Sequence, residues 1–232
     1  MQTINLDTDS LIQAARDIFP AHDTADDDGF LIAGGDLTPE ILLIAYTYGI
    51  FPWFSEGSPV LWWSPPERMM LIPEQLKVSK SLKQVIREKK FTVTFDKAFD
   101  KVIRHCAYTK RPDQQGTWIT NEMIEAYSRL HELGFAHSVE SWLDGKLSGG
   151  LYGISIGKAF FGESMFYHET NASKVAFYHL VEKVKSMGFH FIDAQLPTPH
   201  LESLGAINIP RDEFLDLLNR AVRSSTHTGN WG

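Results

Sequence analysis

The sequence of 232 residues contains a single cysteine, Cys106. That excludes an intramolecular disulfide and points to a reducing compartment, so a cytoplasmic location is expected. No apolar run approaches the roughly 20 residues that cross a bilayer, and no membrane association is expected. The first ten residues, MQTINLDTDS, carry neither the basic nor the apolar stretch of a secretory signal. There is no G-x-x-x-x-G-K-[ST], no G-x-G-x-x-G and no C-x-x-C. Nucleotide-driven activation, a dinucleotide cofactor and a thiolate zinc site are therefore not expected, and neither metal nor cofactor is predicted. Internal repeats and low-complexity tracts are missing as well.

What is present fits a globular chain with a sizeable core: 43% hydrophobic, 22% charged and 12% aromatic residues, including six Trp. The net charge of −7 is unevenly spread. Residues 1–76 hold two basic and twelve acidic side chains, net −10; residues 77–111 hold eleven basic and three acidic, net +8; residues 112–232 hold nine basic and fourteen acidic, net −5. A basic block inside an acidic protein suits a polyanionic partner as well as a solvated helix face.

Periodicity and punctuation set the elements. Thr38 and Pro39 open a helix over 39–48 that Gly49 closes. Residues 51–66, rich in Pro, Gly and Trp, read as irregular or short-stranded. A helix over 79–90, opened by Ser79 or Ser81, aligns Lys80, Lys83, Arg87 and Lys90 on one face. FTVTF at 91–95 alternates as a strand, 96–107 reads as helical, and KRPDQQG as a loop. Thr120 caps a helix to about Leu133, with Met123, Ile124, Tyr127 and Leu130 inward. Three antiparallel strands follow, joined at Asp144-Gly145 and Gly157-Lys158, then a helix over 173–187, a strand over 189–195, and helices near 199–205 and 210–223. The fold class is α+β. A small N-terminal domain (1–76, its limit lying within 77–112) precedes a C-terminal acyltransferase-like (GNAT-like) domain (77–232), a mixed sheet flanked by helices.

Several motifs invite chemistry that their context denies. Gly153-Ile154-Ser155-Ile156-Gly157 matches a nucleophile elbow, but a second strand follows it where a helix is needed. Cys106 adjoins His105, and helix neighbours do not face each other. His131 and His137 are six apart with Gly134 between, not the i, i+4 spacing of a zinc helix. The loop YHETNASK before the 173–187 helix lacks the glycines that let backbone N–H groups approach a pyrophosphate, which argues against a CoA-type donor.

Three polar residues stand where strands favour apolar ones: Glu163 in FFGESMF, and Asp193 and Gln195 in FIDAQ. Period-2 geometry sets Asp193 and Gln195 on one face, about 7 Å apart. Buried carboxylates and amides need partners, so the three are expected to border one cleft.

The runs GGDLTPE, GIFPWF, LWWSPPER, GTWIT, YSRLHELGFAHSVE, GGLYGISIG, FFGESMF, NASK, FIDAQ and SLGA resemble the leucyl/phenylalanyl-tRNA–protein transferases, over about residues 30–220. The alanine of FIDAQ, where some relatives have cysteine, and the stretch 196–202 depart from the pattern. The resemblance implies donors Leu-tRNA and Phe-tRNA (with some Met), acceptor proteins bearing N-terminal Arg or Lys, and a product marked for degradation. It implies Asp193, Gln195 and Glu163 as catalytic residues, and Trp53 and Trp118 as walls around the terminal adenosine of the tRNA. It also implies Leu151, Phe160, Met165 and Ile192 as the pocket for the aminoacyl side chain. An activated ester needs alignment more than a nucleophile or a metal. Stacked Trp suits an unpaired 3′ end. The basic residues Lys77, Lys80, Lys83, Arg87, Lys89 and Lys90 suit acceptor-stem phosphates. A monomer is expected. A CoA-dependent N-acetyltransferase and a non-catalytic RNA-binding module are the competing readings.

Overall fold

The computed structural model describes residues 2–109 and 118–232. The predicted loop over KRPDQQG, with Lys110 and Arg111 of the basic block, lies outside the described residues. The helices are α1 (Thr8–Ile18), α2 (Pro39–Tyr48), α3 (Lys80–Arg87), α4 (Phe99–Tyr108), α5 (Asn121–Glu132), α6 (Ala172–Ser186), α7 (Pro199–Ser203) and α8 (Arg211–Val222). The strands are β1 (Gln2–Ile4), β2 (Phe30–Ala33), β3 (Phe51–Pro52), β4 (Leu61–Trp63), β5 (Glu67–Leu71), β6 (Thr92–Phe95), β7 (Ala136–Leu143), β8 (Lys146–Ile156), β9 (Ala159–Tyr167), β10 (Phe191–Gln195), β11 (Ile207–Pro210) and β12 (Thr226–Thr228).

The predicted caps form. The Thr38, Ser79 and Thr120 side chains accept from the N–H groups of Ile41, Leu82 and Met123. Gly49, at φ +87, ends α2 in the left-handed region that glycine enters without strain. Three limits shift for local reasons. The helix predicted from residue 96 starts at Phe99. Asp96 sits at φ +54, and its carboxylate accepts from the Ser138 and Trp231 N–H groups, a bonding pattern that competes with helix initiation. The helix opened by Ser79 ends at Arg87, with Lys89 at φ +52 beyond it. Strand β10 starts at Phe191 because the Phe189 N–H closes on the Val184 carbonyl of α6.

Seven strands form the main sheet, in the order β11-β5-β10-β9-β8-β7-β6. Every neighbouring pair is antiparallel except β9–β10, which is parallel. Parallel neighbours need a crossover, and α6 is that crossover. It packs on one sheet face, where Ala176, Leu180 and Val184 join Leu151, Phe160 and Ile192 in one buried cluster. On the opposite face Leu42 of α2, Ile103 of α4, Tyr127 of α5 and Phe214 of α8 bury against Tyr152, Phe161 and Phe191. Helix α3 inserts Leu82 beside Phe91, Ala172 and Val175 and turns its charged side outward.

Strands β2, β4 and β3 form a separate three-stranded sheet that precedes the main one. Strand β5 pairs with both β10 and β11, so residues 67–71, which the sequence reading assigns to the N-terminal domain, run inside the main sheet. Strand β1 pairs with β12, tying the two ends of the chain together.

Candidate active site

Two bulges bring the predicted polar residues together. On β9, Gly162 pairs with Gly153 and Ser164 with Tyr152, which leaves Glu163 as the extra residue. On β10, Asp193 pairs with Met70 and Gln195 with Met69, which leaves Ala194 extra. A bulge of this kind resets the alternation and re-aims a side chain. The expected simple alternation of Asp193 and Gln195 is therefore broken, and Gln195 takes φ +56. Even so, the amide reaches across: Gln195 Nε2 donates to Glu163 Oε1 at 3.3 Å.

Glu163 is half-buried between two tyrosines. The Tyr46 hydroxyl donates to Oε1 at 2.6 Å and the Tyr127 hydroxyl to Oε2 at 3.1 Å, and the two hydroxyls lie 2.6 Å apart. Burial pushes the Glu163 carboxyl up to about 7, while the tyrosine hydrogen bonds pull it back down. Burial likewise drives both tyrosine hydroxyls well above their usual range, so they remain donors at neutral pH. A carboxylate balanced near neutrality can accept or release a proton under ordinary conditions.

Asp193 is different. It is fully buried, and Arg68 closes on it in the two-pronged geometry of a guanidinium–carboxylate pair: Nε to Oδ1 at 2.9 Å and Nη2 to Oδ2 at 2.7 Å. Asp193 Oδ1 also accepts from the Gln195 N–H at 2.9 Å. With both oxygens engaged inside the protein, Asp193 is not free to attract a cationic acceptor side chain. Its bond fixes the backbone of Gln195 instead. With Nε2 directed at Glu163, the Gln195 carbonyl oxygen Oε1 remains as an acceptor for an amine.

Leu151, Phe160, Met165 and Ile192 gather in one apolar cluster, with Leu151 opposite Met165 and Phe160 opposite Ile192. The cluster lies on the α6 face, whereas Glu163 meets Tyr46 and Tyr127 from the other face. Gly162 directly precedes Glu163 in the strand. A Cβ added there would find nothing nearer than Asp193 O at 3.6 Å and Ile192 Cγ2 at 3.9 Å. Trp53, 40% exposed, packs on Trp63 at 5.5 Å between ring centroids. Trp118 is half-buried against the larger core, immediately before Ile119 and the Thr120 cap. No ring contact joins the two among the described residues. Lys77, Lys80, Lys83, Arg87, Lys89 and Lys90 are all exposed, and none forms an ion pair among the described residues.

Comparison with known proteins decides the family. The model of the leucyl/phenylalanyl-tRNA protein transferase family matches residues 70–219, and that of its N-terminal domain matches residues 35–66. The leucyl/phenylalanyl-tRNA–protein transferase of Desulfatibacillum aliphaticivorans is 54% identical over 213 residues, covering 92% of this chain and 91% of that protein. The protein of the same name from Maridesulfovibrio salexigens is 54% identical over 215 residues, covering 92% and 90%. The chain belongs to the leucyl/phenylalanyl-tRNA–protein transferase family. Among solved structures, L-PGS from Bacillus licheniformis aligns over 69% of this chain and 51% of its own, with a TM-score of 0.40 and 11% identity.

Set in this family, three residues complete the cluster that the sequence reading did not assign to it. The spacing predicts Tyr127 on the inner face of α5, where it lies, and its hydroxyl donates to the Glu163 carboxylate. Tyr46 holds the matching position on α2. A large aromatic facing inward with a hydroxyl must find a partner, and that requirement was the available signal. Arg68 was legible too: a guanidinium within ERMML, a strand otherwise buried from residue 68 to 71, demands a buried anion.

Proposed function

We propose that the protein moves a leucyl or phenylalanyl group, and less readily a methionyl group, from aminoacyl-tRNA to the amino terminus of proteins beginning with Arg or Lys. The observation that supports this best is the pairing of Glu163, its carboxyl pushed up to about 7 by burial, with the half-buried amide of Gln195 at the junction of two bulges. The reaction joins the acceptor nitrogen to the ester carbon and breaks the bond from that carbon to the ribose oxygen. The nitrogen must shed a proton, and the ribose oxygen must gain one. In this reading Gln195 Oε1 accepts a hydrogen bond from the attacking amine and Glu163 takes its proton, which then passes to the leaving oxygen. Asp193, expected as catalytic, acts through Gln195 as a positioning residue. The ester is already activated, so alignment carries much of the rate.

The apolar cluster around Phe160, Met165, Leu151 and Ile192 is proposed to hold the aminoacyl side chain. Trp53 and Trp118 are proposed to pack the terminal adenosine, where stacking contributes about 1–3 kcal/mol per base. The six exposed basic residues from Lys77 to Lys90 are proposed to meet acceptor-stem phosphates. We place the limit between the two domains near Pro65-Pro66, ahead of β5, because β5 hydrogen-bonds within the main sheet. No helix among the described residues is long and apolar enough to cross a membrane, and the protein is proposed to act in the cytoplasm as a monomer. Incubation with radiolabelled Leu-tRNA and a peptide beginning with Arg should label the peptide. No label, or label only from acetyl-CoA, would end this reading.

A further inference from the structure

Arg68 is 2% exposed and touches four elements at once. Nε and Nη2 grip Asp193 on β10, while Nη1 donates to the Gly49 carbonyl at the end of α2 at 3.1 Å. The guanidinium carbon Cζ lies over two rings, 4.7 Å from the centroid of Phe51 of β3 and 4.6 Å from that of Phe214 of α8. Two of these contacts lead to the site. Phe51 begins the short strand that delivers Trp53 two residues on. Asp193 Oδ1 is shared between Arg68 Nε and the N–H of Gln195, the residue held at φ +56. A left-handed glutamine persists only where its surroundings hold it. A carboxylate oxygen holds that N–H more strongly than a neutral acceptor does, and the Arg68 guanidinium is the buried counter-charge paired with it.

We propose that Arg68 is a positioning residue for acyl transfer, its guanidinium holding the Trp53 strand and the Gln195 turn in one fixed relation. The proposal rests on the transferase reading above. A buried ion pair can be present for specificity of shape more than for stability. Here the shape in question is the distance between the group that stacks the tRNA end and the group that meets the amine. Displacement of such groups by about 1 Å is enough to lower a rate on the order of 100-fold. Lysine keeps the charge but has a single nitrogen, which does not span Asp193 and Gly49 together.

The test uses Arg68→Lys and Phe214→Leu, assayed with Leu-tRNA and an Arg-initiated peptide well below each variant's Tm. Arg68→Lys should lower kcat at least tenfold and raise KM for Leu-tRNA, with KM for the peptide little changed. Phe214→Leu, which leaves every charge in place, should lower kcat several-fold, and it decides the matter if Arg68→Lys does not fold. A second readout is the Gln195 amide proton resonance, which should move upfield in either variant as its bond to Asp193 loosens. A purely structural Arg68 would lower Tm and leave both kcat and that resonance unchanged. Wild-type kcat in the folded variants therefore overturns the proposal alone. A wild-type protein without transfer overturns the functional reading and the proposal with it.

Discussion

Glu163→Gln separates proton transfer from alignment. Glutamine keeps the size and its one oxygen still accepts from one of the two tyrosines, while its amide nitrogen can only donate to the other, and it does not titrate. The wild-type carboxyl stands at about 7 because burial disfavours its charge. The acceptor α-amine has an ordinary pKa of about 7.7–8.0 and must also be neutral to attack. Between pH 6 and 7 the ionised fraction of Glu163 rises about 5-fold and the neutral fraction of the amine about 9-fold. If both are required, kcat/KM for the peptide rises about 50-fold over that unit of pH in the wild type, and only about 9-fold in Glu163→Gln. The assay is initial-rate transfer from radiolabelled Leu-tRNA at subsaturating peptide, with ester hydrolysis measured in parallel and subtracted. Equal pH slopes in the two proteins would refute the assignment of the proton to Glu163, even if the variant were slower overall.

The same elevated carboxyl has a consequence for stability. Between the ordinary value of 4.5 and about 7, the unfolded chain ionises while folded Glu163 stays protonated. Stability contributed by this group is present below 4.5 and lost as pH rises to 7, by roughly 3 kcal/mol at most. Chemical denaturation of Glu163→Gln across that window should lack this decline, and a parallel decline would contradict it. Tyr46→Phe and Tyr127→Phe each remove a hydrogen bond that lowers the Glu163 value, so the pH–rate profile should move to higher pH and stability should fall by about 1.5–3 kcal/mol at pH 8; an unmoved profile would disconnect the tyrosines from the carboxylate. Lys80→Ala combined with Lys83→Ala should weaken aminoacyl-tRNA binding and reduce its log–log salt slope by about 1.5–2. An unchanged slope would remove helix α3 from the tRNA surface.

Much of the architecture was legible because its signals are local. Thr38, Ser79 and Thr120 cap helices, Gly49 and Gly134 end them, and Asp144-Gly145 turns a hairpin whichever fold surrounds them. Glu163, Asp193 and Gln195 stood out because buried polar groups in strands must be satisfied. The pairing of β5 with β10 and β11, strands more than 120 residues away in sequence, was not legible. Nothing within ERMML names those partners. The start of α4 was misjudged for a similar reason: Asp96 bonds to Ser138 and Trp231, both remote in sequence.

The sequence by itself determined the order of elements, the charge asymmetry and the three polar residues of the site, all of which follow from spacing and side-chain chemistry along the chain. Only the tertiary structure decided which partners each polar residue meets. Two bulges broke the period-2 rule and turned Gln195 toward Glu163. Arg68 arrived from β5 to close off Asp193, while Tyr46 and Tyr127 arrived from helices α2 and α5 to hold Glu163. A carboxylate's role depends on its burial and its partners, and here those partners come from distant parts of the chain. The same chemical group, a carboxyl, on neighbouring strands is therefore a buried partner of Arg68 at Asp193 and, at Glu163, a group that burial pushes up to about 7.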